Sequence, residues 1–229
     1  MLDIDTIFTW KVEYTYFSFW SVLWLFLLLI PPGSTSILTA YRFNFFHGVI
    51  SSVIAFLALD GFVPAEFASM ATISYFVVDF ANILLNDFVW KVPSYQNPQN
   101  RRVEYGHHCF CLFVGICCEL FYRDVCTFQI NPFLQLMYAE FSTPFLMVWR
   151  HYGYDSLAAV FVLAFFACRL VYHGLYFIPT CVRSCHPIVG YGFAIPYNIL
   201  NLYFFYMIMK RMVKTFSKSK EKTKEKKIE

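Results

Sequence analysis

The sequence predicts an all-α multipass membrane protein with about seven transmembrane helices. Hydrophobic residues make up 59% of the 229 residues and charged residues only 14%, whereas a soluble domain carries about a quarter. Apolar runs near the roughly 20 residues that cross a bilayer recur along the chain. Spans two to seven are predicted to form a six-helix bundle around a shared interior, with the first span outside it.

Proline, glycine and charged residues bound these runs. The first span is stopped by Pro31-Pro32-Gly33 and the second by Asp60-Gly61. Pro144 lies inside the fifth span, where it cannot donate to the carbonyl of Glu140 and predicts a polar break beside a carboxylate. The predicted spans are 14–30, 43–59, 67–85, 105–122, 131–149, 157–178 and 188–209.

The distribution of basic residues predicts a lumenal N-terminus and a cytosolic C-terminus. Fourteen Lys and Arg residues lie on the side that holds the C-terminus, nine of them from Lys210 onward, against three on the other side. The acidic start, with Asp3 and Asp5, does not predict a cleavable signal peptide. The basic excess belongs to a membrane-adjacent tail, so no nucleic-acid partner is expected.

The tail, residues 215–229, is a Lys/Glu-rich run typical of a solvated end. Lys226 and Lys227 stand at the fourth and third places from the end, as in the dilysine retrieval signal of endoplasmic-reticulum proteins. We therefore expect a partner in the coat machinery, although such a match also arises by chance in a lysine-rich tail.

Ionisable residues inside the spans are the main functional signal, because charges in lipid are costly and usually functional. The histidine pair enters the fourth span from the cytosolic side, and one of its imidazoles is expected to face the interior. The structural alternatives are interfacial histidines, asparagines that join helices, and a purely structural Arg–Glu pair. The candidate catalytic residues are His107, His108 and Asp79, and the candidate cavity residues are Glu140, Arg169, His173, Tyr75 and Asn198.

The eight cysteines indicate buried packing and, at most, one disulfide. Cys126, Cys181 and Cys185 fall on the predicted lumenal side, where disulfides persist, and the sequence does not choose the pair. Cys181-x-x-x-Cys185-His186 offers three ligands of a zinc type but lacks the fourth that a structural zinc site needs. No metal and no cofactor are expected.

Four blocks resemble the TLC-domain family of membrane proteins. They are Ser74-Tyr75-Phe76-Val77-Val78-Asp79, the histidine pair, Glu140-Phe141-Ser142-Thr143-Pro144-Phe145, and Cys168-Arg169 with Tyr172-His173. The resemblance covers residues 36–214 and is closer to the TLC-domain-containing proteins than to the ceramide synthases, whose longer signature is missing after the histidines. It implies an endoplasmic-reticulum multipass protein, a six-helix barrel around a lipid-sized cavity, and a role in lipid metabolism or homeostasis. On this division, residues 1–35 hold the N-terminus and first span.

Two functions are compatible with these residues. The first is acyl transfer from acyl-CoA, as co-substrate, to the amine or hydroxyl of a membrane lipid, with a histidine as general base or acyl carrier. Asp79 would orient a histidine or stabilise its charged form. The second is a non-catalytic lipid binder, transporter or sorting receptor between endoplasmic reticulum and Golgi, which needs the same cavity and no nucleophile. A scaffold with polar stripes that only join helices is the third reading.

Overall fold

The computed structural model describes the backbone of residues 4–30, 37–91, 98–126 and 132–225, which include no strand. The all-α multipass class is confirmed. The two lysines of the predicted retrieval signal, Lys226 and Lys227, lie outside the described residues. The described helical rods are α1 (Ile4–Leu29), α2 (Ile37–Leu59), α3 (Ala65–Val89), α4 (Pro98–Val125), α5 (132–152), α6 (Asp155–Ser184) and α7 (187–225).

Five stretches of these rods are long and apolar enough to cross a membrane by length and composition. They lie in α1, α2, α3, α6 and α7, so the multipass prediction does not depend on α4 or α5. The crossings predicted for α4 and α5 stay predictions. The five stretches are Val12–Leu29, Leu38–Leu59, Ala65–Val89, Asp155–Ser184 and Pro187–Val213.

Helices α2 to α7 pack as a ring. In this ring α3 contacts α2 and α4, α5 contacts α2 and α6, and α6 contacts α7. The ring closes between α4 and α7 through aromatic side chains: the Phe110 ring stacks on those of Phe193 and Tyr197, with centroids 5.7 and 6.5 Å apart. The backbones of the described parts of α4 and α7 approach each other less than those of the other neighbouring pairs. The α4–α7 seam is therefore the least tightly packed part of the ring.

Helix α1 packs outside the ring, against α3. Two indoles of α1 donate to α3 carbonyls, from Trp24 Nε1 to Ala71 O at 2.8 Å and from Trp20 Nε1 to Phe67 O at 3.1 Å. Trp24 is fully buried, and lipid offers no hydrogen-bond partner to its N–H or to the carbonyl that accepts it. The bond between them satisfies both groups within the protein. The peripheral position predicted for the first span agrees with this packing.

Helix α5 is broken where Pro144 predicts it. Residues Tyr138–Ser142 wind as a 3-10 turn, and the carbonyl of Glu140 accepts the backbone N–H of Thr143. The carbonyl freed by proline is thus satisfied by tightening the turn. Gly48 of α2 faces this break, where a Cβ would lie 2.5 Å from Cδ of Pro144 and 3.0 Å from the carbonyl oxygen of Glu140. A glycine at this position lets α2 approach the break closely.

Helix α6 has a wide π-helical stretch at Phe166–Phe177, which contains Arg169 and His173. π-helical turns are rare and occur often at functional sites. This winding changes which residues of α6 point into the ring, so the spacing of an ideal helix does not predict them.

A disulfide joins Cys126, after α4, to Cys185, between α6 and α7. By chain order, both cysteines lie at the end of the ring opposite to the start of α4. Cys181, the third cysteine predicted on this side, is buried and free. The structure therefore makes the choice among three cysteines that the sequence leaves open.

Candidate functional site

Two cavities in the ring share one residue, His107. The deep cavity, of about 70 Å³, lies among α3 to α7 and includes Cys111, Glu140 and Arg169 in its lining. The vestibule, of about 110 Å³, lies nearer the start of α4 and includes Asp79, Glu104, His108 and Arg150 in its lining. Because His107 lines both, it lies between the vestibule and the deep cavity.

His108 is held at both ring nitrogens by oxygen atoms. Its Nε2 lies 2.8 Å from Oδ2 of Asp79, and its Nδ1 lies 2.9 Å from the carbonyl oxygen of Glu104. A carbonyl oxygen only accepts, so Nδ1 carries a proton, and an ionised carboxylate requires a second proton on Nε2. The pair is therefore an imidazolium with a carboxylate, or the equivalent neutral pair that shares that proton.

The sequence brings Asp79 and His108 together by a matched offset in two antiparallel helices. Asp79 precedes the end of α3 by ten residues, and His108 follows the start of α4 by ten. At 1.5 Å per residue both lie about 15 Å from those helix ends. Helix order and spacing alone thus set the two side chains at one level.

Tyr75 supports Asp79 from one turn below. Its hydroxyl lies 3.2 Å from Oδ2 of Asp79 and 2.9 Å from Oδ1 of Asn44 on α2. One hydroxyl proton serves one of these acceptors at a time. Tyr75 is buried and fixes the carboxylate instead of lining either cavity.

His107 is not held by an oxygen or nitrogen atom in the described residues. The sulfur of Cys111, one turn on, lies 3.6 Å from its Nδ1 and 3.8 Å from its Nε2. Its ring is nearly perpendicular to that of His108, at 87°. Both histidines of the pair line the vestibule, and of the two His107 also lines the deep cavity.

Glu140 and Arg169 form an ion pair in the deep cavity. Nη2 of Arg169 lies 3.3 Å from Oε1 of Glu140, and its Nε donates to the hydroxyl of Ser142 at 3.1 Å. The second carboxylate oxygen, Oε2, accepts the hydroxyl of Thr143 at 2.7 Å. The 3-10 turn of α5 therefore supplies Glu140 and Ser142 to the guanidinium, and Thr143, the residue after the turn, holds the carboxylate.

His47 joins this ion pair to a chain of hydroxyls, a role that the sequence did not assign to it. Its Nε2 lies 3.9 Å from Oε2 of Glu140, and its Nδ1 lies 3.0 Å from the Ser51 hydroxyl, which accepts from Thr72 at 2.8 Å. Its ring stacks on Tyr75, with centroids 3.5 Å apart. The 44, 47, 51 spacing on one face of α2 was the signal for it.

The remaining predicted cavity residues, His173 and Asn198, line neither cavity. His173 is fully buried and its Nε2 lies 3.2 Å from the carbonyl oxygen of Gln135, so it joins α6 to α5. Asn201, one turn beyond Asn198, lines the deep cavity instead. The described residues contain no cluster of three or more His, Cys, Asp or Glu that could hold a metal ion.

The contacts of the two adjacent histidines give them different chemical roles. His107 can accept a proton or bond to a carbonyl carbon, because it lines both cavities and no oxygen or nitrogen atom of the described residues contacts its imidazole. His108 cannot do so without leaving Asp79 or the Glu104 carbonyl. A comparison of the chain with protein-family models, with curated proteins and with solved structures gives no match.

Proposed function

We propose that the protein is a lipid acyltransferase of the endoplasmic-reticulum membrane, a member of the TLC-domain family that transfers an acyl group from acyl-CoA to a lipid hydroxyl or amine. One observation carries the proposal. His107 lies between two cavities with no oxygen or nitrogen partner in the described residues, beside a histidine that Asp79 holds in place. A base must be free to meet its substrate and must also be well positioned.

In this reaction the acceptor hydroxyl or amine gives a proton to His107 while its oxygen or nitrogen attacks the thioester carbonyl. The carbon–sulfur bond breaks, and CoA leaves as a thiolate that takes the proton back from His107. The products are an ester or amide and CoA, with no net change in protons. His108 and Asp79 act as positioning residues, because their fixed pair sets the orientation of the adjacent His107.

The size of the deep cavity limits where the acyl chain can lie. A volume of about 70 Å³ holds a few waters, whereas ligand pockets typically enclose about 300–1,000 Å³. The chain must therefore extend through the α4–α7 seam toward lipid, past Phe110, which lines the deep cavity and is 37% exposed. Arg169 and Glu140 would keep the polar end of the substrate beside His107.

Three features support the location and orientation. The basic residues favour a cytosolic side at the start of α4, where acyl-CoA is available to the vestibule. The disulfide lies at the opposite end, which then faces the oxidising lumen. Lys226 and Lys227 would return the protein to the endoplasmic reticulum through the coat machinery.

The small volume of both cavities also favours a second candidate, a non-catalytic lipid binder or sorting receptor. Such a protein needs a polar interior that recognises a head group but no base. It would keep its cellular role when the free imidazole is removed.

The deciding experiment measures transfer of a labelled acyl group from acyl-CoA to membrane lipids by purified protein in detergent. His107→Ala should abolish transfer, and added free imidazole should restore part of it. His151→Ala, which removes an exposed histidine outside both cavities, is the matched control and should be fully active. Equal transfer by wild type and His107→Ala would end the catalytic proposal, and normal rescue of a cellular lipid defect by the same variant would favour the binder.

A further inference from the structure

One cation that lines the vestibule makes no ion pair within the described residues. The carboxylate of Asp79 contacts His108 at 2.8 Å, and that of Glu104 contacts Nη1 of Arg101 at 2.8 Å. Arg150, at the end of α5, lines the same vestibule, and no acidic partner contacts it within the described residues. Its side chain is exposed, and a guanidinium that makes no ion pair is available for an anion of the substrate.

The dimensions of the vestibule restrict what this anion can be. Arg150 and His107 both line this vestibule, and a sphere of its volume, about 110 Å³, would be about 6 Å across. In acyl-CoA, about thirteen bonds separate the thioester sulfur from the nearest phosphorus, which is roughly 16 Å in extended form. A phosphate of CoA cannot reach Arg150 in an extended molecule whose thioester carbonyl lies at His107.

A phosphate on the acceptor fits this distance. In a glycerol phosphate with a free hydroxyl on the central carbon, about four bonds separate the hydroxyl oxygen from phosphorus, or roughly 5 Å. Arg guanidinium binds such oxyanions through two parallel N–H···O bonds. A sphingoid base or a monoacylglycerol has no anion to place there.

We propose that Arg150 binds a phosphate ester of the acyl acceptor, so that the acceptor is a glycerol phosphate, free or as the head of a lysophospholipid, with a hydroxyl at His107. This inference rests on the proposed function and specifies its substrate class. Arg150 also lies in the last turn of a helix, where a cation stabilises the helix dipole, so the test must separate binding from folding.

The experiment compares four acceptors with purified protein and labelled acyl-CoA: lysophosphatidate, glycerol 3-phosphate, monoacylglycerol and sphingosine. Arg150→Gln should lower the preference for lysophosphatidate over monoacylglycerol, as the ratio of kcat/KM, about tenfold. Arg150→Lys should restore part of that preference. Arg183→Gln, which removes an exposed arginine at the other end of the ring, is the matched control and should retain it.

Each outcome decides one claim. An unchanged preference in Arg150→Gln overturns the phosphate inference and leaves acyl transfer standing, whereas acylation of glycerol 3-phosphate as fast as of lysophosphatidate identifies a soluble source of the phosphate. If no acceptor is acylated, the proposed function fails, and binding of lysophosphatidate and monoacylglycerol by native mass spectrometry then tests Arg150. If Arg150→Gln binds less lysophosphatidate but as much monoacylglycerol as wild type, the phosphate site is supported. If wild type and variant bind lysophosphatidate equally, the site is overturned.

Discussion

Asp79 of α3 and His108 of α4 lie 2.8 Å apart, and the other nitrogen of the imidazole lies 2.9 Å from the carbonyl oxygen of Glu104. This relationship distinguishes two adjacent histidines that the sequence presents as equivalent. It makes His108 a fixed part of the ring, whereas the imidazole of His107 has no oxygen or nitrogen partner in the described residues. A hydrogen bond between charged groups of this kind contributes about 1.5–3 kcal/mol to stability.

A double-mutant cycle tests this pair. Asp79→Asn and His108→Gln should each destabilise the protein, and the double variant should lose less than their sum, with a coupling of about 1–3 kcal/mol. The measurement is thermal unfolding in detergent, read from the change in tryptophan fluorescence. Additive effects would show that the two side chains do not interact.

The acyl-transfer assay gives a second test of Asp79→Asn. Asp79→Asn keeps an acceptor for His108 but removes the charge, so transfer by His107 should fall while the fold remains. Asp155→Asn, at the start of α6 and outside both cavities, is the control for loss of a carboxylate. Full activity of Asp79→Asn would remove Asp79 from the site.

The ion pair in the deep cavity predicts asymmetric effects. Glu140→Gln leaves the Arg169 guanidinium without a charge partner in a nearly dry site, and breaking a buried pair in this way costs about 3–5 kcal/mol. Adding Arg169→Gln removes the uncompensated charge, so the double variant should unfold at a higher temperature than Glu140→Gln alone. A double variant that is less stable than both single variants would contradict this account.

Gly48 predicts a steric effect on the same site from a neighbouring helix. A methyl group at position 48 would meet the ring of Pro144, so Gly48→Ala should push α2 from the 3-10 turn and cost about 1–3 kcal/mol. Gly174→Ala adds the same methyl group where nothing lies within 4 Å of it and should be neutral or slightly stabilising. Equal melting temperatures for the two variants would show that the close approach of α2 and α5 is absent.

The sequence predicts the features of this molecule that depend on hydropathy, helical periodicity and composition. It does not predict which side chains contact each other in the folded protein. Hydropathy and proline positions give the all-α class, the peripheral α1 and the break before Pro144. Helical spacing places His173 and Asn198 in the cavity, but the wide π-helical stretch of α6 and local packing bury His173 against the Gln135 carbonyl and bring Asn201 to the lining. The sequence does not distinguish Arg150 from other basic residues near a helix end, because the lack of an ion pair among the described residues depends on the three-dimensional packing.

The disulfide supplies a prediction that is independent of catalysis. Cys126 and Cys185 are separated by 59 residues, so cleavage of the bond raises the conformational entropy of the unfolded chain. On the chain-entropy estimate this lowers the free energy of unfolding by about 4 kcal/mol. Cys126→Ser and Cys185→Ser should therefore give the same lower melting temperature, and each should remove the mobility difference between reduced and oxidised protein on gels. Cys181→Ser, at a buried free thiol, should keep that difference. If Cys181→Ser removed it and Cys126→Ser did not, the pairing would be wrong, and with it the argument that this end of the ring faces an oxidising compartment.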